Sequence, residues 1–127
     1  MGYELNLSHM SISDLLEKAA ESNEVIHVKP GQQRGIGKTP ALIDFARKNK
    51  APVLMNRAMA DHYKKIHPDL TFIGYWDGKD LSEYENIVCD ELIPLEVAEE
   101  LHKDGKLLTG FVNLGYRKQY EHPNLKG

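Results

Sequence analysis

The chain has 127 residues, 41% of them hydrophobic and 28% charged, with a formal net charge of −3. That length suits a single domain with a buried core, and the mild negative charge excludes a whole-molecule attraction to nucleic acid or anionic membrane. One cysteine, Cys89, excludes an intramolecular disulfide and fits a reducing, cytoplasmic compartment. No apolar run approaches the roughly 20 residues that span a bilayer, so no membrane partner is expected. The opening "MGYELNLSHMSISD" has no basic segment ahead of an apolar one, which argues against a secretory signal. Asn6 stands where a myristoylation motif has Ser or Thr.

In chain order, "SISDLLEKAAES" predicts a helix capped by Ser11, with Asp14 three residues on and Leu15, Leu16, Ala19 and Ala20 as its apolar face. "EVIHVKP" (24–30) predicts a short strand closed by Pro-Gly. After a glycine-bearing loop, "KTPALIDFARKNK" predicts a helix with Ala41, Leu42, Phe45 and Ala46 on one side. "APVLMNR" (51–57) is an apolar run of the kind buried on both faces of a parallel sheet. A helix over 58–67, stopped by Pro68, then leads to a strand over 70–76 and a "DGKD" turn. "ENIVCDEL" (85–92) predicts a fourth strand, "PLEVAEELHKDGK" a helix with Pro94 in its first turn and Gly105 at its end, and "LLTGFVNL" (107–114) a fifth strand.

Strands alternating with helices of about ten residues predict an α/β fold, a three-layer α-β-α sandwich around a mostly parallel sheet of about five strands. The whole chain, 1–127, is expected as one domain, with an N-terminal helix region over 1–23, a core over 24–114 and a polar tail over 115–127. Ligands of such sheets bind at the carboxyl ends of the strands. The loop after the first strand, "CDEL" and "VNLGYR" are predicted to meet at that edge.

The loop carries the most specific motif. A phosphate cradle needs glycines that let successive backbone N–H groups face one anion, a lysine in the first turn of the next helix, and an adjacent hydroxyl for magnesium. Here Gly35 and Gly37 flank Ile36, and Lys38, Thr39 and Pro40 follow directly. Pro40 is tolerable in a first turn because its missing N–H costs no intrahelical bond. The pattern departs at its start: Gln32 occupies the first glycine position and Gly31 lies one residue early. Either the loop is a residue longer than usual, or Gln32 takes that position and Gly35 supplies the flexibility.

"QQRGIGKT" together with "NIVCDEL", about fifty residues on, resembles the Walker A and Walker B pair of P-loop NTPases. More narrowly, it is similar to the class whose Walker B ends in Asp-Glu and which has an added strand between the P-loop and Walker B strands. The arginine ahead of Gly-x-Gly-Lys-Thr resembles the variant loop of phage terminases and some helicases, and suggests a phage or prophage origin. The resemblance covers residues 24 to about 117. It implies ATP or another NTP, with Mg2+, bound by Gln33, Arg34, Gly35, Ile36, Gly37, Lys38, Thr39 and Pro40. In that carry-over Lys38 contacts the β- and γ-phosphates, Thr39 and Asp90 hold the metal, and Glu91 polarises the attacking water. Asn113 would sense the γ-phosphate, with Thr109 a poorer candidate, and Arg117 or Arg34 would stabilise transition-state charge.

Plainer readings stand beside these. Asp90 and Glu91 also suit the acidic N-terminus of a following helix, Asn113 a turn, Arg117 a solvated tail and Cys89 a small core residue. His62 and His67 are five apart and point in different directions on a helix, against a zinc site. Three functions follow. The first is a small Mg-dependent ATPase working with a nucleic acid, a protein partner or further copies of itself. The second is a non-hydrolysing nucleotide-binding adaptor or inhibitor, and the third a phosphotransferase similar to nucleoside kinases. The dozen residues after Gly115 leave no room for the extra strands of larger motors, so terminase or helicase activity is not expected.

Overall fold

A computed structural model describes residues 2–6, 10–28, 37–76 and 78–116. The elements are β1 (Tyr3–Glu4), α1 (Ile12–Glu21), β2 (Ile26–Val28), α2 (Lys38–Asn49), β3 (Val53–Asn56), α3 (Arg57–Ile66), β4 (Phe72–Tyr75), β5 (Ile87–Cys89), α4 (Leu95–Lys103) and β6 (Leu107–Asn113). The six strands form one sheet in the order β1-β2-β6-β5-β3-β4, with every neighbouring pair parallel. The sheet thus has six strands rather than the five expected. The extra one, β1, is tied to β2 by Tyr3 N–H on the Val25 carbonyl at 2.8 Å and Leu5 N–H on the His27 carbonyl at 3.0 Å. Two residues are too few to show a period-two pattern, so it left no sequence signal.

Apolar residues on both faces of each strand explain the layering. In β3, Val53 and Met55 join a core with α1, α2 and α3, whereas Leu54 between them joins a second core with α4. β5 splits in the same way, with Val88 on the first side and Ile87 and Cys89 on the second. The pleat sends alternate side chains to opposite faces, and both faces are covered, as in a three-layer sandwich. Each fully buried leucine, such as Leu16, Leu42 or Leu54, contributes about 2 kcal/mol by leaving water.

Helix ends follow local chemistry. The Ser11 side chain accepts from Asp14 N–H at 3.1 Å, and the Asn56 side chain from Met59 N–H at 2.8 Å, capping α1 and α3. Pro94 is the N-cap of α4, whose first N–H bonds to the Tyr116 carbonyl at 2.8 Å. Near the centre of the sheet, β6 passes so close to β5 that a Cβ on Gly110 would lie 2.5 Å from the Cys89 carbonyl oxygen. With φ at +151° and an adjoining register shift opposite Ile87 and Val88, that position requires glycine. Among the described residues no helix is long and apolar enough to cross a membrane.

Candidate functional site

Because the sheet is all parallel, the carboxyl ends of β2, β6 and β5 lie side by side along one edge. Val28 is paired with Asn113, and Cys89 with Gly110. β6 separates β2 from β5, yet the first turn of α2 reaches the tip of β5. Gly37 starts α2 in the left-handed conformation, φ +86°, which a glycine adopts without strain. Lys38 and Thr39 then project from the first turn, and Pro40 follows inside it, where its missing N–H costs nothing. Of the four described helices, only α2 has neither a side-chain cap nor an acid in its first turn. Its first turn therefore carries no acid of its own, and the acids that meet it come from the end of β5.

Two pairings knit this turn to the end of β5. The Thr39 hydroxyl donates to Asp90 Oδ1 at 3.2 Å, and Lys38 Nζ lies 3.2 Å from Glu91 Oε1. Lys38 and Asp90 are only 7% and 2% exposed, and the Glu91 side chain 25%. Asp90 continues the ladder through its N–H, bonded to the Leu54 carbonyl at 2.9 Å. Burial above all, then the charge of Glu91, pushes the Asp90 carboxyl above the ordinary carboxylate range; the N–H of Leu92, the Thr39 hydroxyl and the N–H of Glu91 pull the other way. A buried acid of this kind gains from a cation.

The structure thus brings Lys38, Thr39, Asp90 and Glu91 together, across 51 positions of sequence between Thr39 and Asp90. Asn113 stands at the adjacent strand tip, but its Oδ1 accepts from Gly115 N–H at 2.8 Å in a local turn. Thr109 sits well inside β6, fully buried, with its hydroxyl donated to the Glu24 carbonyl at 2.8 Å, so it is removed from the edge. Asp90 and Glu91 do not lie in the first turn of α4, which begins at Leu95 and carries Glu96 as its acid. Gln33, Arg34, Gly35, Ile36 and Arg117 lie outside the described residues. Cys89 is fully buried, its thiol raised to about 12 by burial first and the Asp90 charge second. His67 is held by Arg47 and stacks beside Tyr63.

Sequence reasoning missed the direct Lys38–Glu91 contact, because residue types alone assign each side chain to a ligand rather than to each other. It also missed Gly110, whose only signal is a glycine inside an otherwise apolar strand.

The donor set suits a hard cation. A hydroxyl and a carboxylate oxygen 3.2 Å apart offer oxygen ligands without nitrogen or sulfur. No group of three His, Cys, Asp or Glu forms a protein-only cage among the described residues. Magnesium at Thr39 and Asp90 would therefore need further oxygens from a phosphate-bearing ligand or water. Among the described residues, clefts of about 530, 150 and 630 Å3 lie elsewhere. The cleft beside Ala51 and Pro52, at the opposite edge of the sheet, has Lys50 and Thr71 but only one acid, Asp69, in place of a pair. Comparison of the chain with protein-family models, with curated proteins and with solved structures finds no match.

Proposed function

We propose that the chain binds a nucleoside triphosphate with magnesium and hydrolyses it slowly, as a small member of the P-loop class. The observation that carries this reading is the four-residue cluster at one sheet edge: Lys38 against Glu91 and Thr39 against Asp90, each pair 3.2 Å apart. The position of β6 between β2 and β5 supports it, since the Asp-Glu type of this class has a strand inserted there. So does the start of α2, where a left-handed glycine opens a first turn that has no acid of its own, as suits an approaching anion.

On this reading Lys38 neutralises the β- and γ-phosphates as a point charge. Thr39 and Asp90 hold magnesium, which would supply charge neutralisation across the phosphates. Glu91, beside the metal ligands but separate from them, orients and deprotonates the attacking water. Arg34 and Arg117 are the chain's own candidates for transition-state charge, and a protein, nucleic acid or second copy is the candidate source of a further one. ATP is the reference nucleotide. One observation favours a second reading, a nucleotide-binding adaptor without turnover: Glu91 is engaged by Lys38.

Steady-state release of inorganic phosphate from Mg-ATP separates the two. The ATPase reading expects slow release from the native chain, reduced by a factor of about 100 or more in both Lys38→Ala and Glu91→Gln. Retained ATP binding with no release from the native chain, at any protein concentration, leaves the adaptor. Unchanged release in both variants contradicts the site.

A further inference from the structure

The Lys38 ammonium, almost wholly buried, is met by a carboxylate of its own chain, with Glu91 Oε1 3.2 Å from Nζ. Resting on the nucleotide reading above, we infer that Glu91 is a latch on Lys38: it competes with the terminal phosphates for the same cation, and is freed to act on water only when a triphosphate displaces it. The residue that activates water is thereby withheld until substrate arrives, and substrate binding is weakened by having to break an ion pair.

Three features of the site support this. The contact is partly shielded, because Lys38 is 7% exposed and Glu91 25%, so solvent screens it less than a surface pair. Asp90, immediately beside, is 2% exposed and already bonded to Thr39, so Glu91 is the more exposed of the two acids. Two anions on one ammonium repel each other. A phosphate arriving at Nζ therefore favours Glu91 turning outwards, towards the side from which solvent reaches it.

A latch must act through reach as well as charge, and this makes it separable from a general negative field. Glu91→Gln removes the charge at constant shape. Glu91→Asp keeps the charge but withdraws the carboxylate by one methylene, about 1.5 Å, beyond ion-pair distance from Nζ. Binding of a fluorescent, non-hydrolysable ATP analogue with excess Mg2+ is measured for the native chain and both variants. The latch predicts that both variants bind about tenfold more tightly than the native chain. Tighter binding in Glu91→Gln alone, with Glu91→Asp like the native chain, assigns the effect to charge at large and overturns the latch. Equal binding in all three also overturns it and leaves the nucleotide reading standing. No binding in any of the three, in a concentration range reaching millimolar, brings down that reading and the latch with it.

Discussion

Asp90 shows at single-residue scale how a buried acid is held against the interests of the fold. In an unfolded chain an aspartate titrates near 4. In the folded protein burial, and then Glu91, raise its pKa. The folded state therefore holds this proton more tightly than the unfolded state. This group favours the fold most below about 4, and that advantage is lost as pH rises from there through the raised folded value, above which the cost is complete. Asn in its place keeps an oxygen for the Thr39 hydroxyl and removes the charge. In metal-free buffer, Asp90→Asn should raise stability at pH 7 by about 1 kcal/mol. Its advantage should shrink towards zero as the pH is lowered to about 4. Urea unfolding of both proteins across that range measures the difference. A variant less stable than the native chain at neutral pH, or an advantage independent of pH, would show that Asp90 is well accommodated without a cation.

At the scale of elements, the pairing of β5 with β6 fixes where the acids emerge. Gly110 lies against the backbone of Cys89, one residue before Asp90, and an added Cβ would meet Cys89 N at 2.6 Å and its carbonyl oxygen at 2.5 Å. Backbone cannot yield as a flexible side-chain tip does. Gly110→Ala should therefore cost about 3 kcal/mol or more, combining forced separation of the strands with an unfavourable φ. A loss below about 1 kcal/mol in urea unfolding would show that the two strands can part without penalty.

Most elements of this scaffold were legible. The capped amphipathic pattern of α1, the run from Lys38 into α2, and the doubly apolar strands β3 and β5 follow from periodicity and capping chemistry. The predicted strand over 85–92 contracts to Ile87–Cys89, with Asn86 before it at φ +53°, Asp90 directly after it and Glu91 in a turn. Periodicity reports which faces are apolar, whereas ladder length depends on a partner strand that the local sequence does not name. The position of Asp90 at a strand tip is legible in the apolar run before it, whereas its near-complete burial and its bond to Thr39 depend on tertiary packing.

Over the whole molecule, parallel pairing is what turns separate segments into one edge. Every strand delivers its carboxyl end to the same side, so residues from α2 and from the end of β5 meet although they are far apart in sequence. The same topology accounts for the plainness of the opposite edge, where Arg47 binds Asp69 at 2.9 Å and the pair holds each group ionised, raising the one pKa and lowering the other through their shared hydrogen bond. That contact is solvated and fastens the end of α2 near β4 without any bearing on the cluster.

The central claim is that Lys38, Thr39, Asp90 and Glu91 form one triphosphate–magnesium site, and ligand-linked stability tests it on the intact chain. Mg-ATP at about 100 times its dissociation constant should add roughly 2.7 kcal/mol to the folded state. For a domain of this size that raises the midpoint of thermal unfolding by roughly 10 °C. That rise is expected in the native chain and is expected to disappear in Lys38→Ala. No rise in the native chain at millimolar Mg-ATP, or the same rise in the variant, would contradict the claim.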